Sequence, residues 1–220
     1  MRNELDVMNP APRCPVILIL DTSASMKGEP IAELNTALRQ FIREVAADEA
    51  ASMSVELEII PMTATAEPVI PFTPIDRIDP DGFKLTANGG TFTGKAMTRA
   101  LADIQARKEL YVANAICAYA PWVIMMSDGK PGDNWRGPSE KLLDLAARAK
   151  LTYLGLELGL KSNHDFMKQM LPPEPGPLRL NEVKKFKRFF RWLTSSLESV
   201  SRSCVGNEPI SFCLRSWQDL

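Results

Sequence analysis

In LILDTSASMKGEPI (18–31) an apolar run ends in an acid followed by two hydroxyls at alternate positions: Asp21, Ser23 and Ser25. Along an extended turn, alternate side chains point the same way and can converge on one point. Two later segments offer similar oxygens. TANGGTFTG (86–94) carries Thr91, and APWVIMMSD (120–128) ends in Asp128. Every donor in this set is an oxygen; no His or Cys belongs to it. Such a set suits a hard divalent cation, Mg²⁺ first, with Mn²⁺ or Ca²⁺ as further candidates. Two carboxylates side by side repel each other unless a cation sits between them. With only two anionic ligands the ion would keep residual positive charge. It would then take a further oxygen from water or from a partner's carboxylate. A plainer reading has Asp21 and Ser23 capping the helix that opens at Pro30, with Asp128 in an ordinary turn.

The elements that must position these residues follow from the hydrophobic pattern. PVILIL (15–20) is a continuous β-branched and leucine run, as expected for a strand buried on both faces. Ile31, Leu34, Leu38, Phe41, Ile42 and Val45 repeat at helical spacing behind Pro30. SVELEII (54–60) alternates as a strand, and EPVI (67–70), beside prolines, reads as an edge piece. A long connection over 71–93, rich in Pro, Asp, Gly and Thr, is of the kind that carries function. A helix is predicted over 94–110, a buried strand over 120–128, a helix over 139–150 capped by Ser139, and a strand over 151–159. A short helix near 163–171, a strand at 177–180 and a final helix over 182–197 with Asn181 as N-cap complete the pattern.

Strands and helices that alternate in this way predict an α/β, doubly wound, mostly parallel six-stranded sheet flanked by helices, with one antiparallel edge strand. In the 3-2-1-4-5-6 strand order, strands 1 and 4 are neighbours at the switch point, where ligands bind outside the carboxyl ends of strands. Asp21 and Asp128 would leave those two strands at the same rim. Residues 1–13 read as a flexible lead-in, 14–197 as one domain and 198–220 as a tail.

The bulk numbers agree with a single core. The chain has 220 residues, 45% of them hydrophobic and 24% charged, ordinary soluble-globular usage. A net charge of −1 offers no overall bias toward nucleic acid or an acidic membrane. No apolar run approaches the ~20 residues of a membrane span. The N-terminus lacks an apolar core of signal-peptide length. The four cysteines have no metal-ligand spacing. Cys117 is expected in the core, and Cys204 and Cys213 in the tail could pair only in an oxidising compartment. The expected location is cytoplasmic.

DTSAS matches the DxSxS signature of von Willebrand factor A domains, and Thr91 in GGT and Asp128 in SDG fit the other two segments of their metal-ion-dependent adhesion site. The chain resembles that family over roughly residues 14–197. PVILILDTSASMKGEPI, LTANGGTFTGKAM and MMSDGKPGDNW are similar to the bacterial tellurium-resistance TerY-type A domains. The resemblance implies that Ser23 and Ser25 bind the metal directly. It implies that Thr91 binds directly or through water, and that Asp21 and Asp128 act through waters. Ala24 stands where glycine is usual, a small change at a position that is not a ligand. The resemblance further implies a metal-dependent protein-binding adaptor without catalytic activity. Its place would be a tellurite or stress-resistance or phospho-signalling system, with a kinase or phosphatase of that system as a candidate partner.

On that reading the partner supplies an Asp or Glu to the ion. Lys27, Lys95 and Lys130, one in each site loop, could favour an acidic partner, and Trp135 is read mainly as packed under its own loop, or, if exposed, as an anchor. The alternative is a Mg²⁺-dependent phosphatase of the haloacid-dehalogenase type, which also starts from a strand-terminal Asp. Its DxDx[TV] signature needs a second carboxylate as acid and base, where this chain has Ser23. The single histidine, His164 in KSNHDF, is expected at the surface or at a helix start, and no GxSxG or P-loop lysine motif is present. EVKKFKRFFRWL (182–193) mixes basic and aromatic residues. Val183, Phe186, Phe190, Leu193 and Leu197 form an apolar stripe, with Lys184, Lys185, Lys187, Arg188 and Arg191 mostly off it. A closing helix with a wet basic face is the main reading, and a nucleic-acid or anionic-lipid surface the sharper one. Phe189 and Trp192 would widen the apolar face, toward the tail or another subunit.

Overall fold

The computed structural model describes residues 7–128, 130–158, 164–180 and 185–205. Its centre is a six-stranded sheet in the order β3-β2-β1-β4-β5-β6. The strands are β1 (Cys14–Leu20), β2 (Val55–Pro61), β3 (Ile70–Pro74), β4 (Trp122–Ser127), β5 (Thr152–Leu158) and β6 (Leu178–Leu180). All neighbours run parallel except β2 and β3, which pair antiparallel. Order, sense and edge strand agree with the expectation from the sequence.

Both faces of the sheet are covered, which explains the unbroken apolar strands. Val16, Leu18 and Leu20 of β1 point toward α1 (Glu29–Ala47) and α6 (Lys185–Ser201), in a core with Phe41, Phe190 and Leu193. Ile17 and Ile19 point the other way, toward α3 (Thr93–Ala113), α4 (Arg136–Ala147) and α5 (His164–Met170), with Met97, Ile104 and Leu142. Each fully buried aliphatic or aromatic side chain contributes roughly 1.5–3 kcal/mol of burial free energy, so β1 is an expensive strand to disturb. On α6 the predicted stripe is buried, and Phe189 and Trp192 are buried with it. Trp192 stacks toward Trp122 at 6.3 Å between ring centroids, so these rings belong to the chain's own core. Lys187, Arg188 and Arg191 are exposed. Val183, Lys184 and the expected cap Asn181 lie outside the described residues.

Several boundaries differ from expectation, each for a local reason. A short helix α2 (Glu49–Ser54) precedes β2, started by Asp48, whose side chain accepts from the Ala51 amide at 2.9 Å. β3 lies at 70–74 and contains Pro71 and Pro74, which an edge strand tolerates. α4 starts at Arg136, before the expected 139, because Pro138 falls in the first turn, where it costs no helical hydrogen bond. Ser139 therefore sits inside the helix, buried, and its hydroxyl donates to the Met170 carbonyl at 3.1 Å. Cys117, expected in the core, is exposed, because it falls in the turn between α3 and β4 beyond the packed layers. Cys14 is buried, and Cys117 and Cys204 are exposed free thiols; Cys213 lies outside the described residues. No described helix is long and apolar enough to cross a membrane.

Candidate metal centre

Strands β1 and β4 are parallel neighbours, with Leu20 opposite Met126. The Asp21 amide extends this ladder, donating to the Met126 carbonyl at 2.9 Å. Asp21 and Asp128 therefore leave the sheet side by side at the carboxyl rim, at the point where strand order reverses. Asp21 is fully buried. Its Oδ1 accepts from the Ser23 amide at 2.9 Å, which bends the chain so that Ser23 and Ser25 face each other. Their hydroxyls share a hydrogen bond of 2.8 Å. A 3-10 turn at Ala24–Met26 then carries the chain to α1, which Gly28 enters with a φ of 91°, a left-handed conformation suited to glycine. Asp21 and Ser23 do not cap that helix: its N-cap is Gly28, without a side-chain cap bond.

Two backbone bonds fix the second segment against the first. The Ala24 amide donates to the Gly89 carbonyl at 3.0 Å, and the Asn88 amide to the Thr22 carbonyl at 2.8 Å. Thr91, buried two residues farther on, is held from the other side, where the Gly132 amide donates to the Thr91 carbonyl at 2.7 Å. All three segments thus meet at one rim.

The electrostatics show what the rim lacks. Burial pushes the Asp128 carboxyl up from its ordinary value. The charge of Asp21 and a hydrogen bond shared with Asp21 push the same way, while a hydrogen bond from Ser25 opposes them. The half-buried Asp128 also has an oxygen, Oδ1, shielded from solvent and without a hydrogen-bond partner among the described residues. Two facing acids, an orphaned carboxylate oxygen and three nearby hydroxyl residues fit a hard cation with oxygen ligands. Among the described residues no group of three or more His, Cys, Asp or Glu could hold a metal, so a site here must draw on the hydroxyls.

The structure also places the residues expected to meet a partner. Lys27 and Lys130 are exposed beside the rim, Lys130 with its ammonium 5.4 Å from the Phe166 ring centroid. Lys95 is exposed and donates to the Ala64 carbonyl at 2.8 Å. Trp135 is only 7% exposed, packed edge-on to Phe166 at 6.0 Å, so the condition for an anchor, an exposed ring, is not met. Its work is to support the third segment from below. His164 is the first residue of α5, and its Nδ1 lies 2.7 Å from the buried Glu157 carboxylate.

Two contributors escaped the sequence reading. The Ser127 hydroxyl donates to Asp21 Oδ2 at 2.7 Å and so orients the buried acid. Its place next to Asp128 at the strand end was the available signal. The other is Asp133, whose carboxylate accepts from the Gly94 and Lys95 amides at 2.9 and 2.8 Å. Nothing local marks it, because its partners lie 39 and 38 residues earlier.

No protein-family model matches the sequence, and no curated protein matches it. Solved structures do match the fold. Proximal thread matrix protein 1 from the mussel byssus superposes with a TM-score of 0.62 at 16% identity, over 86% of this chain and 49% of that one. The same mussel protein has also been solved with a zinc-occupied MIDAS motif, matching with a TM-score of 0.54 at 15% identity over 85% of this chain and 48% of that one. A von Willebrand factor type A protein from Catenulispora acidiphila gives 0.64 at 16% identity, over 86% of this chain and 43% of that one. The vWF domain of the type V pili tip protein Mfa5 from Porphyromonas gingivalis gives 0.58 at 11% identity, over 85% of this chain and 97% of that one. The chain thus spans about half or less of the mussel and Catenulispora chains, and nearly all of the Mfa5 domain. Together with the strand order and the three-segment rim, these matches show that the chain has the fold of a von Willebrand factor type A domain.

Proposed function

We propose that the chain is a metal-ion-dependent protein-binding module that acts as an adaptor and does not catalyse a reaction. One observation carries this reading. Asp21 and Asp128 converge with the hydroxyl residues Ser23, Ser25 and Thr91 at the switch point, and Asp128 is left with a shielded oxygen that has no hydrogen-bond partner among the described residues. Ser23, Ser25 and Thr91 would hold a divalent cation, Mg²⁺ first, with Asp21 and Asp128 supplying the negative charge around it. When bound, the cation supplies a positively charged position that a partner's Asp or Glu can occupy. Ser127 and the Ser23 amide keep Asp21 oriented for this task. Lys27 and Lys130 add positive charge at the exposed edge, which steers an acidic partner more than it tightens the complex. The zinc-occupied MIDAS motif of the mussel neighbour supports a divalent ion at this place in the fold.

The motif likeness to TerY-type A domains supports a place in a bacterial tellurite or stress-resistance or phospho-signalling system, with a kinase or phosphatase of that system as partner. We infer a cytoplasmic location, which fractionation tests; recovery at the cell surface, in keeping with the pilus setting of the Mfa5 neighbour, would overturn it. Pull-down with the full chain tests the main reading. Partner capture is expected with Mg²⁺ and is lost with EDTA or in Asp21→Ala. Capture that survives both treatments would remove it.

A further inference from the structure

Asp133 lies five residues past Asp128 in the third segment, outside the proposed ligand set, and joins that segment to the second. Its two oxygens take the amides of Gly94 and Lys95, the second and third residues of α3 (Thr93–Ala113). A helix start leaves such amides without intrahelical partners, and the local N-cap, Phe92, has no side chain to offer them. The cap arrives instead from the loop that follows Asp128. One residue before Asp133, the Gly132 amide grips the Thr91 carbonyl. The two contacts fasten 91–95 to 132–133 like adjacent stitches.

The abutment is close. A Cβ on Gly94 would lie 2.1 Å from the Asn134 carbonyl oxygen, so only glycine lets the loops approach this far. A Cβ on Gly132 would lie 3.3 Å from the Thr91 carbonyl oxygen. Charge adds a second effect. The start of a 21-residue helix carries partial positive charge, and here it faces the rim proposed to take a cation. Asp133 offsets that charge without itself belonging to the ligand set.

Resting on the metal-site reading above, the geometry points to Asp133 as a positioning residue for the centre. It sets the placement of Thr91 against Asp128 and neutralises the α3 start, so cation affinity depends on it although it touches no cation. Groups that orient ligands in this way change metal affinity roughly 10–100-fold when removed.

Calorimetric titration of the full chain with Mn²⁺ tests the assignment, with urea midpoints of the metal-free proteins in parallel. Asp48→Ala is the control, since it removes a side-chain cap at α2, together with an ion pair to Arg202, away from the rim segments. Asp133→Ala is expected to weaken Mn²⁺ binding at least tenfold. Asp133→Asn, which keeps an acceptor and loses the charge, is expected to weaken it less. Asp48→Ala is expected to stay within twofold of wild type while losing urea stability as Asp133→Ala does. Gly94→Ala, which wedges the stitched loops apart, is expected to weaken Mn²⁺ binding as well. Wild-type affinity in Asp133→Ala, or equal losses in Asp133→Ala and Asp48→Ala, would overturn the assignment. If wild type itself takes up no Mn²⁺, the metal-site reading falls and takes this assignment with it.

Discussion

Buried acids gather at both ends of the central strands, and the protein treats them in opposite ways. At the amino end of β2, Glu56 is 1% exposed and is answered from within. Arg107 donates to it at 2.7 Å, Arg13 lies at 3.6 Å, and the Tyr111 hydroxyl donates to the same carboxylate. At the carboxyl rim, Asp21 and Asp128 face each other with hydroxyls and amides around them, and the described residues place no cation against them. A carboxylate whose counter-charge is part of the fold holds the fold together. One left without a counter-charge creates a demand that an ion from solution can meet.

A large effect is expected at the ion-paired end. Glu56→Ala removes the carboxylate that faces Arg107 and Arg13, each 2% exposed, and should cost about 3–5 kcal/mol in urea unfolding, with or without Mg²⁺. At the rim the sign should differ. Asp128→Asn relieves the repulsion by Asp21, so the metal-free protein should unfold no more easily than wild type. The variant should lose the gain that wild type shows with Mg²⁺, about 2.7 kcal/mol at a hundredfold excess over Kd. Thermal melts with and without Mg²⁺ measure both; a metal-free loss like that of Glu56→Ala would erase the contrast.

A third acid, Glu58, sharpens the contrast through pH. Burial first, then the charge of Asp103, pushes its carboxyl from 4.5 up to about 9. Folded protein therefore holds a proton that unfolded chain has released across that window. Stability should fall as pH rises from about 4.5 toward 9, by at most ~1.4 kcal/mol per pH unit. Glu58→Gln should flatten the slope in urea midpoints taken across the window; an unchanged slope would show that Glu58 is ionised in the fold. The smallest effect belongs to the surface. Charge reversal at Lys27 and Lys130 should slow partner association a few-fold at low salt and leave cation affinity nearly unchanged, read by stopped-flow mixing.

The sheet was legible in the sequence because both of its faces are covered. Runs such as PVILIL and WVIMM show the buried central strands directly, and their order follows from the alternation with helices. That Asp21 and Asp128 leave neighbouring strands at one rim was legible because each follows an apolar run that ends there. What escaped depends on long-range partners. The Asp133 clamp is set by contacts with α3, which no local spacing records. Ser139 was misplaced because capping residues and buried hydroxyls share one composition. Cys117 was misplaced because an apolar neighbourhood does not reveal a turn.

Diffraction from crystals grown with Mn²⁺, measured at its absorption edge, tests the central claim most directly. One anomalous peak is predicted at the rim, within bonding reach of the Ser23 and Ser25 hydroxyls and close to Thr91, and absent in Asp21→Ala. A chain that takes up no Mn²⁺ there, or that binds it only elsewhere, would contradict the account.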